Sequence, residues 1–266
     1  MFGHTYYHSI IRKYVALFGT LFNDIHINRP DTAHNVISTV KVPIAYGPVD
    51  KVLARITADP NLNRMPAIQL PRMSFEITDF SYATSRKLLT ANKRVKVDAT
   101  NPNVLKYLYN PVPYDIKFAL SIIVKNADDG ARIVEQILPF FTPEWTTTVL
   151  LIPEANIIVD IPIVLDTVTV KDDYEGNFEE RRSVIWTLTF TLKGYIYGPV
   201  RKNGIIKFAT TNTFNALQAN TELTTTTIEP GLTSAGAPTT VLGDSISSTL
   251  ISANSDYGFI TTQTDT

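Results

Sequence analysis

The order of apolar and polar positions along the chain outlines a set of alternating strands and a few helices. Ile10, Ile11, Tyr14, Leu17, Phe18 and Leu21 recur at helical spacing, with Arg12 and Lys13 off the stripe. The pattern predicts a core-packing amphipathic helix. Val40, Val42, Ile44 and Tyr46 then alternate with Lys41, Pro43 and Ala45. Period two places one set on a buried face. Pro43 has no N–H to give a ladder, so this strand is expected at an edge or a bulge. Pro48 opens a short predicted helix through Val49, Val52, Leu53 and Ile56, with Pro60 past its end.

Met73, Phe75 and Ile77 alternate in a strand running towards Tyr82. Ile116, Phe118, Leu120, Ile122 and Val124 give the clearest early strand. Asp128 or Asp129 is expected to cap a helix with Ile133, Val134, Ile137 and Leu138 on its buried side and Pro139 at its end. Two long strands follow. In the first, Ile157 to Leu165 share one parity and Val168 and Val170 the other, which predicts a bulge. In the second, Val184, Trp186, Leu188, Phe190 and Leu192 alternate. The polar link KDDYEGNFEERR joins them as a predicted long β-hairpin.

The pattern fades after Lys207. Residues 209–266 contain no lysine or arginine, are rich in Thr and Ser, and include four consecutive threonines from Thr224 to Thr227. Alone, such a segment buries too little apolar surface to fold. It is therefore expected to be held by neighbouring chains. The predicted fold is α+β: a mainly antiparallel sheet with a long β-hairpin, packed by a few helices, plus an extended C-terminal arm. The domain division expected is an α+β core over 1–208 and a Thr/Ser-rich extension over 209–266.

Composition changes this picture little. The chain has 266 residues, 44% of them hydrophobic, with a net charge of −1 and no cysteine. It can bury a core, and it has neither a disulfide framework nor thiolate metal sites. No basic leader and no apolar run of membrane-spanning length stand in the sequence. The reading is a soluble protein made in a reducing cytoplasm.

Candidate chemistry is sparse. The phosphate-loop pattern, G-x-S-x-G and H-E-x-x-H are all absent. His4 and His8 stand four apart, but no acidic residue at helical spacing completes a metal site. His26 and His34 stand further along. The acidic link holds Asp172, Asp173, Glu175, Glu179 and Glu180. Counted from Asp172, a calcium loop fails: Tyr174 falls third, Gly176 fifth and Ser183 twelfth. A solvated tip or a charged tab that docks on a neighbouring subunit remain as readings. Arg86, Lys87, Lys93, Arg94 and Lys96 form the densest basic cluster. They face solvent, an acidic partner or, non-specifically, DNA phosphates. No aromatic platform or reader motif accompanies the cluster in sequence. Together the basic and acidic sets are the candidate interface residues.

Four stretches, in order, carry a resemblance. The chain opens with MFG, a Tyr-rich segment and a helix ending LFNDIHINR; LPRMSFEITDFSY follows at 70–82, IVEQILPFF at 133–141, and RRSVIWTLTF at 181–190 with GYIYGPV to Val200. These resemble the tail sheath stabiliser and completion (tail terminator) proteins of T-even-like contractile-tailed bacteriophages, over most of 1–208. The resemblance implies a structural virion protein with no catalytic residues and no cofactor. It implies a six-fold homo-oligomeric ring at the head-proximal end of the tail, made in the host bacterial cytoplasm. Its partners would be the tail sheath protein, the tube terminator protein and the neck proteins, with no membrane. The alternatives are another neck or tube-terminator protein, a hydrolase built on the acidic loop, and a carbohydrate-binding β module. For the last, Trp145 and Trp186 are the candidate sugar platforms, although Trp186 is in phase with the core positions Val184 and Leu188.

Overall fold

The computed structural model describes residues 5–30, 36–52, 70–98, 100–173, 183–214 and 222–265. The chain is mainly β-structure with few helices, an α+β fold. It forms two compact units: Met1–Leu89 with Pro111–Tyr197, and Thr90–Asn110 with Gly198–Thr266. A single cut after residue 208 does not reproduce this division. The second unit draws on an internal segment because strands from 90–110 pair with a strand that follows Gly198.

The first unit is built on a six-stranded sheet of β3 (Ile44–Tyr46), β4 (Arg72–Tyr82), β7 (Val112–Val124), β10 (Ser183–Ile196), β9 (Ile157–Asp173) and β8 (Glu144–Ile152), in that order. Among the described residues only the β3–β4 pair of this sheet is parallel. The central strands show why period two was readable. Ile116, Phe118, Leu120 and Ile122 of β7, and Leu188, Phe190 and Leu192 of β10, are fully buried. Lys117 is exposed, and Thr187, Thr189 and Thr191 are half-buried on the other face. One face is thus apolar and the other mostly polar, except where the paired Ile123 and Ile185 are also buried, a pattern close to that of a half-covered antiparallel sheet.

Two helices cover the apolar face. Helix α1 (Ile10–Leu21) buries Ile10, Tyr14 and Phe18. The Phe18 ring stacks on Phe118 with centroids 4.4 Å apart and meets Phe75 and Phe190 at 5.3 Å. Ile11, assigned to the stripe from spacing, is exposed. Helix α2 (Ala127–Ile137) buries Ile133, Val134 and Ile137. Gly130 lets α2 approach the sheet, since a Cβ there would run into the Trp186 indole. The expected cap is corrected: Asn126 is the N-cap, and Asp128 and Asp129 lie in the first turn. Asp128 instead pairs with Arg132 at 2.8 Å, one turn on. Both carboxylates still stand at the positive end of the helix. Leu138 is exposed because a 3-10 turn, Leu138–Phe140, takes over at the helix end.

The strand expected over Val40–Tyr46 is split in two. β2 (Val36–Lys41) pairs with β1 (His26–Pro30), and β3 joins the large sheet. The break falls at Val42 and Pro43. Val42 is buried and donates to Ile25 O at 2.9 Å, and Pro43 offers its carbonyl to Met73 N. Pro43 therefore sits beside the edge strand β3, where its missing N–H leaves no gap. Residues 49–52 are helical, with Lys51 N–H donating to Pro48 O; Leu53, Ile56 and Pro60 lie outside the described residues. The parity switch in β9 is a bulge: Thr189 faces Thr167 and Phe190 faces Leu165, leaving Asp166 extra. Thr191 Oγ1 donates to Asp166 Oδ2 at 2.5 Å and holds that residue outward.

The second unit has two three-stranded sheets. One orders β11 (Arg201–Gly204), β6 (Val104–Tyr109) and β5 (Lys93–Val97). The other orders β12 (Ala209–Phe214), β13 (Glu222–Gly231) and β14 (Gly258–Asp265). The Thr-rich C-terminal segment thus closes on itself as an antiparallel sheet, with Leu232, Ile251 and Ile260 buried. Threonine favours strands through its branched Cβ, so a few buried apolar anchors are enough once strands pair.

Candidate interaction surfaces

The basic residues singled out in the sequence fall in two settings. Arg86 belongs to the first unit, in a 3-10 turn at Thr84–Arg86. Its guanidinium is turned inward. Nη2 donates to Asp115 Oδ1 at 2.6 Å and to Tyr114 O at 3.0 Å, Nη1 reaches Gly194 O at 3.4 Å, and the group lies over the Tyr195 ring. It holds the turn against β7 and β10. Lys87, next to it, is exposed.

Lys93, Arg94 and Lys96 belong to the second unit, on β5, an edge strand of its sheet. Strand pairing brings further cations beside them. Lys96 faces Lys106, which faces Lys202, so three lysines stand in one row across the sheet. Neighbouring strands lie about 4.8 Å apart, too close for three unscreened ammonium groups without a counter-charge. Asp98 supplies it. Its carboxylate is 3.1 Å from Lys106 Nζ and 3.7 Å from Lys202 Nζ, and accepts Thr100 N–H at 3.1 Å. The Thr100 N–H and then the Lys106 ammonium hold the Asp98 carboxyl below its ordinary range. Asp98 was legible only as the acid that closes a basic run; its partners Lys106 and Lys202 are eight or more residues away.

No aromatic platform was legible beside the basic cluster in the sequence, but the fold brings two tyrosine rings to Lys93. Lys93 Nζ lies 5.3 Å from the Tyr107 ring centroid and 5.7 Å from that of Tyr109. Both tyrosines come from β6, which pairs with β5 across a turn, so no local motif announces them.

Of the acidic set, Asp172 and Asp173 end β9, opposite Val184 and Ser183. Glu175, Glu179 and Glu180 lie outside the described residues. His8 precedes α1, so it does not sit on that helix, and His4 and His34 lie outside the described residues. Among the described residues no group of three or more His, Cys, Asp or Glu side chains is placed to hold a metal. No described helix is long and apolar enough to cross a membrane. Trp186 is packed against α2 rather than displayed as a sugar platform.

The second unit also carries an open, largely apolar groove of about 260 Å³ lined by Leu105, Phe208, Ile228, Ile251, Tyr257 and Phe259. Phe208 and Phe259 are two-thirds exposed there. Surfaces of this kind, charged rows and apolar rims on β-sheets, suit contacts with other proteins rather than turnover of a small molecule.

The comparisons with known proteins give the class: this is a bacteriophage tail protein. A family model described as the T4-like virus Myoviridae tail sheath stabiliser matches residues 5–256, and the chain belongs to that family. It is 32% identical over 232 residues to the tail completion protein gp15 of Enterobacteria phage T4, covering 83% of this chain and 81% of that protein.

Proposed function

We propose that the protein forms a ring, hexameric and without catalytic activity, that closes the head-proximal end of a contractile tail. The ring would hold the last sheath subunits and the tube terminator on one side and dock the neck proteins on the other. The observation that carries this reading is the family match over residues 5–256. The protein's surfaces support it. Cohesion in such an assembly comes from many weak contacts acting together, so sheet edges and charged patches matter more than a pocket. The exposed cations Lys87, Lys93, Arg94 and Lys96 are candidates for acidic neighbours or for non-specific contact with DNA passing through the ring. The acidic positions Asp172, Asp173, Glu175, Glu179 and Glu180 are candidates for a docking tab on a neighbouring subunit.

Light scattering and negative-stain imaging of the purified protein, alone and with tails lacking it, test the proposal. Closed rings alone or on tail ends support it. A protein that stays monomeric and leaves tail ends bare refutes it.

A further inference from the structure

Open sheet edges are templates for pairing, and proteins normally blunt them with charge, proline, shortness or a covering group. Most edges of this protein are blunted. β3 has three residues. At the end of β8, Lys13 Nζ covers the Leu150 and Leu151 carbonyls at 3.1 and 2.6 Å, and the strand is bulged there. Arg132 and Gln136 of α2 cover the Asn28 and His26 carbonyls of β1. β5 presents Lys93, Arg94 and Lys96, and β11 presents Arg201 and Lys202.

The sheet of β12, β13 and β14 departs from this pattern at both edges. β12 reads ATTNTF, with no charge and no proline, and all six residues are exposed. β14 reads GFITTQTD, with one carboxylate at its last position and neither proline nor cation. Each has a single strand neighbour, β13, among the described residues. Both run antiparallel to β13 and hence parallel to each other. Register aligns Thr210, Thr227 and Thr262 in one row and Asn212, Thr225 and Thr264 in the next row on the same face. Thr210 Oγ1 and Thr227 Oγ1 are 3.4 Å apart.

We infer that these two edges join successive copies of the chain: β14 of one copy pairs, in parallel, with β12 of the next. The occupant is a second copy because the two open edges belong to one sheet. They are similar in length, six and eight residues, and in side-chain chemistry, and repeating the sheet continues both rows across the junction. Head-to-tail pairing of two different edges generates a ring when the rotation between copies closes, and main-chain bonds supply the adhesion. The inference rests on the ring reading and specifies which edges make it.

Two experiments test it on the full chain. Thr211→Lys with Thr213→Lys places two cations on the exposed β12 edge. Thermal melting should stay unchanged, because both positions are exposed, while the half-assembly concentration should rise about tenfold or more. The chain has no cysteine, so Thr210→Cys combined with Thr262→Cys, or with Thr264→Cys for the neighbouring register, reads the junction directly. Within one copy the two positions are separated by β13, about two strand spacings, beyond disulfide reach. Oxidation should give a covalent ladder for a double variant and none for either single variant. Cross-linking of Thr210→Cys alone would mean β12 pairs with β12, which overturns head-to-tail joining. Rings that form normally in the lysine variant, with no ladder, overturn the edge pairing and leave the ring reading standing. A wild-type chain that assembles neither alone nor on tails overturns both.

Discussion

The Tyr14 hydroxyl closes a two-bond link with a single residue: it donates to Tyr195 O at 2.8 Å and accepts Tyr195 N–H at 2.9 Å. One side chain of α1 thereby satisfies both main-chain groups near the end of β10, 181 residues later. Gly194 makes room for it, since a Cβ there would stand 2.8 Å from Tyr14 Cε2.

Tyr14→Phe keeps the ring and leaves both Tyr195 groups without that partner. A loss of about 1–3 kcal/mol in unfolding free energy is expected, the cost of orphaning groups away from water. Urea unfolding checks it. Gly194→Ala should cost a similar roughly 1–3 kcal/mol through overpacking against the same ring.

Burial raises the Tyr14 pKa above its ordinary value, the backbone bond to Tyr195 opposing only part of the effect. The folded state therefore keeps this proton when the unfolded chain releases it. The resulting stability is complete below a pH of about 10, where tyrosine ordinarily ionises, and falls as pH rises above that. Tyr14→Phe should show a shallower alkaline decline than the native chain in melts between neutral pH and about pH 11.

Asp98 works in the opposite direction. Its carboxyl is held below the ordinary range by the Thr100 N–H and Lys106. The stability it contributes is present above a pH of about 4, near the unfolded value, and is lost as pH falls through the depressed folded value. Amide protection in β5 and β6, relative to the intrinsic exchange rate at each pH, should fall in acid. Asp98→Asn should lose that acid dependence while exchanging faster at neutral pH, because Lys106 and Lys202 then face each other without a counter-charge.

Arg86 and Lys96 separate the two settings of the basic cluster. Arg86→Ala removes a partly buried group bonded to Asp115, Tyr114 and Gly194, and a loss of about 2–3 kcal/mol is expected. Lys96→Ala changes an exposed edge residue and should leave stability within about 0.5 kcal/mol. Calorimetry of the two variants checks the contrast.

Trp186 buries its indole N–H without a hydrogen-bond partner among the described residues, against Gly130. Gly130→Ala should destabilise by roughly 1–3 kcal/mol. Trp186→Phe relieves both the crowding and the unpaired donor. In a double-mutant cycle it should recover part of the Gly130→Ala loss, with a coupling of about 0.5–3 kcal/mol.

Much of the first unit was legible in the chain itself. Ile116 to Ile122 and Leu188 to Leu192 each placed a buried residue at every second position. The parity change after Leu165 marked the Asp166 bulge, and Tyr14 and Phe18 marked the inner face of α1. These are local signals, because side-chain direction repeats with the backbone period. The helix cap misled because an acid in the first turn and an acid at the N-cap look alike in sequence. β8 alternates exposed and half-buried positions from Glu144 to Leu150 and buries Leu151 and Ile152, but the run Thr146 to Thr148 hides that alternation in the sequence.

The sequence by itself therefore determined most of the residues that face inward on α1, α2, β7, β9 and β10, with Ile11 and Leu138 as exceptions, and the order of motifs placed the chain among tail sheath stabilisers. Only the tertiary structure decided which strands would be neighbours. It returned 90–110 to pair after Gly198, set Asp98 among Lys106 and Lys202, laid Tyr107 and Tyr109 under Lys93, and closed the Thr-rich segment into a sheet with two bare edges. The reason is that periodicity is a property of one strand, whereas pairing depends on hydrogen bonds and packing between residues far apart in the chain. No window of sequence contains both partners.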